Sequence, residues 1–184
     1  MSVYAVKKLT NVTNHTITLL TDIDLLWISK NYLKGLTWEV LKIQGVHPPA
    51  ILVDMDGTLC HREGFTDRDP YDWSRASEDG LDPVVGDIVH RFSADHTVII
   101  FTARPASAEL ICRSWLKRHR VPFDHIFTRA DKDFREDSIV KWEMYEEFVQ
   151  PFWSVQFILD DRQRVVDMWR EKGLKCLQVA PGDF

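Results

Sequence analysis

The sequence has 184 residues, of which 45% are hydrophobic and 28% charged, and its formal net charge is −5. These values predict one globular domain with enough apolar surface for a core and with room for a small appendage. The acidic balance argues against sequence-independent binding of duplex nucleic acid, although it leaves open an enzyme that acts on a strand end.

Cysteine usage and apolar runs bear on the compartment. The cysteines at 60, 112 and 176 are odd in number, far apart and not in metal-ligand spacing, which favours a reducing environment. The N terminus has no signal-peptide pattern, and no apolar run approaches membrane-spanning length. We therefore expect a cytoplasmic protein with no membrane partner.

Residues 1–46 predict a small N-terminal appendage of unknown role. A weak alternation indicates a strand at Thr16–Leu20, and an apolar face predicts a helix over Asp22–Lys34. A further short element of uncertain type covers Thr37–Ile43. The prolines of His47-Pro48-Pro49 stiffen the chain and mark a domain boundary, so residues 47–184 are predicted to form the main domain.

The main domain begins with the most informative stretch of the chain. Ala50–Val53 is a four-residue apolar run typical of a strand buried on both faces. It is followed at once by Asp54-Met55-Asp56-Gly57-Thr58, in which two carboxylates are separated by one residue. An acidic turn after a core strand is common for one aspartate and uncommon for this DxDGT pattern, so we interpret the pair as functional.

Strands and helices alternate through the rest of the chain, which predicts an α/β, Rossmann-like fold with a mostly parallel sheet flanked by helices. The predicted strands are His96–Phe101, Phe123–Thr128, Val155–Leu159 and Leu174–Val179, and the predicted helices are Pro83–Phe92, Ser107–Arg118, Asp137–Phe148 and Val165–Lys172. The polar segment Cys60–Asp82 is interpreted as irregular and as too short for a large cap domain. No GxxxxGK[ST] motif indicates a Walker-type nucleotide site.

Three of the predicted strands end in polar residues, which places a hydroxyl, a guanidinium and several carboxylates along one edge of one sheet. The three pairs are Asp54 with Asp56, Thr102 with Arg104, and Asp160 with Asp161. Clustered aspartate oxygens suit a hard divalent cation such as Mg²⁺. Thr102 can donate a hydrogen bond to a phosphate oxygen, and Arg104 can clamp one bidentately.

These residue types suit phosphoryl transfer. We expect Asp54 to attack phosphorus and form an aspartyl-phosphate, with Asp56 as general acid and base. Lys141 is expected to supply positive charge beside the nucleophile, oriented by Asp137 four residues earlier on the same helix. The alternatives are structural: Arg104 caps a carboxylate, Lys141 forms an ordinary i,i+4 salt bridge, and Asp160 is a helix N-cap.

The DMDGT stretch, Thr102, Lys141 and the Asp160-Asp161 pair resemble the four motifs of the haloacid dehalogenase (HAD) superfamily. The match to the 3′-phosphatase domain of phage polynucleotide kinase/phosphatase covers about residues 48–184. It rests on Arg68-x-Pro70-Tyr71-Asp72, Arg135-x-Asp137 with Val140-Lys141, Asp160-Asp161-Arg162 through Arg170, and the block from Cys176 to Phe184.

The resemblance implies roles for individual residues. Asp54 is the nucleophile and Asp56 the general acid/base, and Mg²⁺ is held by the Asp54 side chain, the Asp56 main-chain carbonyl and Asp161. The other matching essential positions are Arg68, Arg104, Asp137, Lys141 and Asp160. The sequence leaves open whether Asp160 or Asp161 contacts the metal directly.

The chain also departs from the resembling family. It has Thr102 where the family usually has serine, and its segment between Thr58 and Arg68 is longer and different in sequence. The family's phage members have a kinase domain before this one, whereas residues 1–46 are far too few for a kinase and lack a phosphate-binding loop.

Three hypotheses of function follow. The first is a Mg²⁺-dependent 3′-phosphatase acting on DNA or RNA ends, in the host cytoplasm if the source is a phage. The second is a small-molecule phosphatase such as a nucleotidase. The third is a non-catalytic interaction module, in which residues 1–46 contact a kinase, a ligase or a second copy of the chain in a homo-oligomer.

Overall fold

The computed structural model describes residues 9–10, 16–17 and 47–182. The chain divides into two compact units, Met1–Val46 and His47–Phe184. The described residues of the first unit form two antiparallel strands, β1 (Leu9–Thr10) and β2 (Thr16–Ile17). The strand predicted at 16–20 is therefore described over its first two residues, and the elements predicted at 22–34 and 37–43 lie outside the described residues.

Strands and helices alternate along the second unit. Its strands are β3 (Pro49–Val53), β4 (Cys60–His61), β5 (Gly80–Leu81), β6 (Thr97–Pro105), β7 (His125–Arg129), β8 (Ser154–Arg162) and β9 (Cys176–Gly182). Its helices are α1 (Pro83–Phe92), α2 (Glu109–Arg118), α3 (Asp137–Phe148) and α4 (Gln163–Glu171). Among the described residues no helix has the length and apolar character needed to cross a membrane.

Five of these strands form one parallel sheet in the order β7-β6-β3-β8-β9. The chain runs outward from the central strand β3 through β6 to β7, and then returns to β8 on the other side of β3. The strand order therefore reverses between β3 and β8, and ligands of open α/β sheets bind outside the carboxyl ends of the strands at such a point. The predicted α/β fold with a mostly parallel sheet is confirmed.

Helices cover both faces of the sheet because successive side chains of a strand point to opposite faces. Ile51 and Val53 of β3 pack in a core with buried residues of α1 and α2. Ala50 and Leu52 of the same strand pack in a second core with α3 and α4. All four side chains are fully buried, which explains why this strand appears in the sequence as an unbroken apolar run.

The structure extends three strands by three or more residues beyond their predicted ends, and one of them is β9, which continues to Gly182. β6 continues to Pro105 and β8 to Arg162, with irregular register between Thr102 and Pro105 and between Asp160 and Arg162. The apolar pattern reports which side chains are buried, whereas the ladder of backbone hydrogen bonds continues after polar side chains begin. The polar strand ends are therefore held by the sheet rather than by free loops.

The segment between β3 and α1 is more ordered than predicted. Its ends pair as β4 and β5, and between them lies a 3₁₀ helix at Trp73–Glu78. Two-residue strands are too short for an alternation pattern to reveal. The indole Nε1 of Trp115 in α2 donates to the carbonyl oxygen of Asp79 at 2.7 Å, which fastens the segment to the main domain. Helix α1 follows directly, capped by the Asp82 side chain.

Candidate active site

The first group of polar residues surrounds Asp54, directly after β3. Its backbone N–H donates to the carbonyl oxygen of Leu159 in β8 at 3.0 Å, so the two strands at the reversal point are tied together here. Lys141 Nζ lies 2.9 Å from Asp54 Oδ1 and 2.7 Å from Asp160 Oδ2. With Asp161 these residues form what we call the Asp54 cluster, and all four are buried.

The Asp54 cluster carries more negative than positive charge. One carboxylate oxygen from each of Asp54, Asp160 and Asp161 lies within 4.8 Å of the others. Burial raises the pKa of Asp54 well above its usual value, and the nearby carboxylates add to this effect while Lys141 opposes it. Burial acts to lower the pKa of Lys141, but Asp160 and Asp54 outweigh it and raise that pKa, so the ammonium stays charged.

Asp161 sits in a close-fitting cradle. The hydroxyl of Thr58 donates to Asp161 Oδ1 at 3.0 Å. A Cβ at Gly57 would overlap the Asp161 carboxylate, and a Cβ at Gly182 would overlap its backbone carbonyl and Oδ2. Gly57 also has a φ of +81°, a conformation that favours glycine. Both glycines are therefore required by the close approach of Asp161.

The donor set of the Asp54 cluster fits a hard divalent cation. It offers three carboxylates in a small buried volume, and oxygen ligands of this type are those that Mg²⁺ uses in proteins. A cation there would offset both the burial and the carboxylate repulsion that raise the pKa of Asp54. Burial likewise raises the pKa of Asp161, so its charge too is stabilised by a nearby cation.

The second group surrounds Asp56. Arg104 donates from Nε to Asp56 Oδ2 at 2.8 Å and from Nη2 to Oδ1 at 2.7 Å, a bidentate pair. The Asp56 side chain is 38% exposed, whereas the Arg104 side chain is fully buried. Burial acts to raise the pKa of Asp56, but Arg104, with smaller contributions from Arg68 and Lys141, outweighs it and lowers that pKa.

A buried carboxylate, Asp79, holds two arginines of this group together. Arg68 donates to Asp79 from Nε at 2.7 Å and from Nη2 at 2.8 Å, and Arg104 Nη2 donates to Asp79 Oδ2 at 2.9 Å. Arg68 Nη2 also lies 3.7 Å from Asp56 Oδ1. The Trp73 ring covers both guanidinium groups at 5.4 and 5.1 Å. We call Asp56, Arg68, Asp79 and Arg104 the Asp56 cluster.

The structure thus brings most of the sequence-predicted site residues into two adjoining clusters, with Asp54 and Asp56 two residues apart between them. The guanidinium groups of Arg68 and Arg104 are buried and already engaged by carboxylates. This is the geometry of the alternative in which Arg104 caps a carboxylate. A direct contact of either arginine with a substrate phosphate stays a prediction.

One part of the sequence reasoning was wrong. Asp137 does not orient Lys141 along the helix: its carboxylate is paired with Arg129 and Arg162. Lys141 instead reaches into the sheet edge, where two buried carboxylates attract its ammonium more strongly than the partly exposed Asp137 would. Asp137 therefore borders the Asp54 cluster through Arg162, whose backbone N–H donates to Asp160 Oδ1 at 3.3 Å.

Thr102 lies within β6, three residues before the strand ends, and is fully buried. Its hydroxyl oxygen accepts the backbone N–H of Arg104 at 3.2 Å. The hydroxyl proton stays available for donation. A hydrogen bond from Thr102 to a phosphate oxygen is compatible with this geometry and stays a prediction.

Sequence reasoning missed Asp79 altogether. It lies in a segment with many acidic residues, and nothing in its local pattern separates it from exposed neighbours such as Glu78. The residues that surround Asp161 were partly predictable from the sequence, because Gly57 and Thr58 belong to the DxDGT pattern. Pairing Gly182 with Asp161 required the parallel neighbours β8 and β9, which a sequence pattern does not specify.

Solved structures share this architecture. A structure of the protein tyrosine kinase A (PtkA) from Mycobacterium tuberculosis matches with a TM-score of 0.52 and 15% identity, over 76% of this chain and 89% of that chain, which shows the fold alone. A chain of the Pnkp1/Rnl/Hen1 RNA repair complex matches with a TM-score of 0.71 and 36% identity, over 75% of this chain and 44% of that chain.

A sequence relative is the putative bifunctional polynucleotide kinase/RNA ligase of Autographa californica nuclear polyhedrosis virus, 25% identical over 150 residues. The match covers 77% of this chain and 21% of the viral protein. This chain thus spans about a fifth of the viral protein and less than half of the matched chain in the repair complex.

The fold and the carboxylates at its strand tips define a phosphatase of the haloacid dehalogenase class. The profile of one family within that class, the polynucleotide kinase PNKP phosphatase domain, matches residues 48–184, so the chain belongs to this family. It is accordingly a phosphoric monoester hydrolase.

Proposed function

We propose that this protein is a Mg²⁺-dependent phosphatase that removes the 3′-phosphate from polynucleotide ends through an aspartyl-phosphate on Asp54. The observation that carries the proposal is the contrast between two carboxylates only two residues apart. Asp54 lies in an acidic cluster with an excess of negative charge, whereas Asp56 is held by a charge-balanced pair of arginines. Such a contrast separates the nucleophile from the acid and base.

In the first step, an Asp54 carboxylate oxygen forms a bond to phosphorus while the bond between phosphorus and the ester oxygen of the substrate breaks. Lys141 favours the ionised form of Asp54 and orients it through its 2.9 Å contact with Oδ1. Asp56, the more exposed of the two aspartates, gives a proton to the departing oxygen. The phosphoryl group is then carried by Asp54.

In the second step, Asp56 takes a proton from water, which attacks phosphorus and releases inorganic phosphate, and the Asp54 carboxylate is restored. The lowered pKa of Asp56 in the free protein keeps this carboxyl ionised, so it is able to accept the proton. For the first step Asp56 must be protonated, and the negative charge of a phosphoryl group beside it favours protonation by opposing Arg104.

The residues that would hold Mg²⁺ are Asp54 and Asp161, with Asp160 joining them or acting through Lys141. When bound, the ion supplies positive charge to the phosphoryl oxygens. The cradle formed by Gly57, Thr58 and Gly182 fixes the Asp161 carboxylate in advance, so little reorganisation is needed at the moment of reaction.

The polynucleotide substrate is supported by the family and by both relatives, which are named for polynucleotide kinase and for RNA repair. In residues 47–182 the segment between β4 and β5 is small and fastened to α2, so it leaves the site open to a chain end. By the same comparison we propose that kinase and ligase activities accompany this domain in the cytoplasm, in partner proteins or in other segments.

The test is phosphate release from matched DNA and RNA oligonucleotides that carry the phosphate at the 3′ or the 5′ end, with Mg²⁺ or with a chelator. We expect release from 3′ ends only, and only with Mg²⁺. The Asp54→Asn variant should be inactive and should not retain radioactive phosphate after rapid acid quenching, whereas the wild type should. Equal release from 5′ ends would contradict the proposal.

Two further outcomes correspond to the other hypotheses. Faster turnover of a free nucleoside 3′-monophosphate than of the oligonucleotide would favour a small-molecule phosphatase. No turnover of any phosphate ester would favour an interaction module.

A further inference from the structure

The two most exposed large apolar side chains among the described residues are both aromatic. Phe134 is 91% exposed and Tyr71 is 82% exposed. Neither ring makes an aromatic or cation–π contact with another described residue. Single exposed apolar residues need no explanation, but beside each of these two rings the backbone is held by an arginine that is linked to the candidate site.

Tyr71 is fixed to the Asp56 cluster by an arginine. Arg68 Nη1 donates at 3.1 Å to the carbonyl oxygen of Pro70, which belongs to the peptide group that joins Pro70 to Tyr71. The same guanidinium lies 3.7 Å from Asp56 Oδ1 and is locked by Asp79. One buried side chain therefore spans from the proposed acid/base residue to the backbone of the exposed tyrosine.

The backbone on both sides of Phe134 is held in the same way, by Arg129. Arg129 Nη1 donates at 3.0 Å to the carbonyl oxygen of Asp133, which belongs to the peptide group that precedes Phe134. It also donates to the carbonyl oxygen of Arg135 at 3.3 Å. The guanidinium is paired with Asp137, which reaches the Asp54 cluster through Arg162 and Asp160.

Both segments leave the carboxyl ends of parallel strands, β3 for Tyr71 and β7 for Phe134, and so lie at the edge of the sheet that carries the site. In each case the backbone is held rigidly while the ring is left in water. Exposing an apolar ring brings no stability to the isolated domain. Ordering it beforehand does lower the entropy that a ligand must overcome.

We propose that Tyr71 and Phe134 stack on nucleobases of the substrate strand next to its phosphorylated 3′ end. This inference rests on the proposed function and names how the site distinguishes a polynucleotide from a small phosphate ester. Base–aromatic stacking tolerates any sequence, which suits an enzyme that acts on ends.

The experiment compares three substrates: a 3′-phosphorylated oligonucleotide, the same oligonucleotide with abasic sites at its last two positions, and para-nitrophenyl phosphate. The full-length variants are Phe134→Ala, Tyr71→Ala and Phe134→Trp. The matched control is Leu110→Ala, which truncates an apolar residue of similar exposure, 79%, on helix α2, outside the two segments that carry the rings. Thermal unfolding of each variant verifies that the fold is kept.

For the wild type we expect kcat/KM to fall by about tenfold when the bases are removed from the oligonucleotide. Phe134→Ala and Tyr71→Ala should each lower kcat/KM for the intact oligonucleotide relative to para-nitrophenyl phosphate, mainly through KM. They should be less sensitive than the wild type to removal of the bases. Phe134→Trp should keep the preference, because indole also stacks.

An equal sensitivity to base removal in the wild type and in both alanine variants would overturn this inference and leave the proposed function intact. Hydrolysis of para-nitrophenyl phosphate alone, with no release from any oligonucleotide, would overturn both. If the variants change the oligomeric state in sedimentation and leave the oligonucleotide kinetics as in the wild type, the rings bind protein rather than nucleobases, and the inference is wrong.

Discussion

The two halves of the site are built on opposite electrostatic principles. The Asp54 cluster sets three carboxylates against one ammonium, and the Asp56 cluster sets two carboxylates against two guanidinium groups. The first is incomplete without a further cation, whereas the second is balanced by the protein itself. Because only one residue separates Asp54 from Asp56, the contrast arises from what the neighbouring strands and the β4–β5 segment bring to each.

This contrast has a clear chemical use. A carboxylate surrounded by other carboxylates binds a metal ion and a phosphoryl group, both of which reduce the repulsion. A carboxylate clamped by arginine keeps a fixed position and a predictable protonation state. The predictions below disturb one half at a time, so that each tests whether the two halves have separate roles.

The largest effect is expected from Lys141→Met in the Asp54 cluster. Removing the Lys141 ammonium leaves Asp54 and Asp160 buried without a cationic partner among the described residues, and we expect activity to fall about 100-fold to 1000-fold. Breaking a buried ion pair from one side also lowers the free energy of unfolding by about 3–5 kcal/mol. Steady-state kinetics and denaturant unfolding measure the two effects.

The double variant Lys141→Met with Asp160→Asn serves as the control. It removes one of the two carboxylate charges that Lys141 paired, so it should recover part of the stability and none of the activity. Recovery of both together would mean that Lys141 acts only as a structural partner of Asp160.

The next largest effect is expected from Asp79→Asn in the Asp56 cluster. Asp79 lies behind the two arginines, so we expect it to act by positioning them. Loss of its charge leaves two guanidinium groups around one carboxylate, and we expect kcat to fall about 10-fold to 100-fold with little change in the Mg²⁺ requirement. Glu78→Gln, at the exposed neighbouring position, is the matched control and should keep full activity. A loss of kcat that additional Mg²⁺ restores would contradict separate roles for the two halves.

The sequence was sufficient for the parts of this site that follow directly from strand patterns. Asp54, Thr102 and Asp160 each end an apolar run, and parallel strands bring such ends together. The sequence was not sufficient to predict ion pairs whose partners are determined by burial. The role of Asp79 depends on which charged groups are excluded from water, and so does the pairing of Lys141 with Asp160 instead of Asp137. That exclusion is a property of the assembled core.

A smaller effect is expected from Gly57→Ala, which tests the cradle of Asp161. Gly57 and Gly64 both have positive φ, but a Cβ at Gly64 meets nothing within 4 Å, whereas one at Gly57 overlaps the Asp161 carboxylate. Gly64→Ala should therefore cost only the backbone strain, about 1–2 kcal/mol. Gly57→Ala should cost more and should raise the Mg²⁺ concentration for half-maximal activity. Equal effects of the two substitutions on the Mg²⁺ requirement would show that Asp161 is not part of the metal site.

The smallest effect, and the most direct test of the comparison, is the opposite response of the two aspartates to neutralisation. The pKa of Asp54 is raised in the folded protein, so its ionisation above about pH 3.8 reduces stability until pH exceeds the folded pKa. The pKa of Asp56 is lowered, so its ionisation adds stability that is present above about pH 3.8 and is lost as pH falls through the folded pKa.

In metal-free protein at pH 7.5, Asp54→Asn should therefore raise the melting temperature and Asp56→Asn should lower it. The gain from Asp54→Asn should shrink as pH falls toward 4, because the wild-type carboxyl then becomes protonated as well. With Mg²⁺ present the order for Asp54 should reverse, since the variant loses a metal ligand that the wild type keeps. Calorimetry at several pH values, with and without Mg²⁺, measures these shifts in melting temperature and their dependence on pH and on Mg²⁺. A shift of the same sign for both variants in the metal-free protein would mean that the two halves share one electrostatic environment.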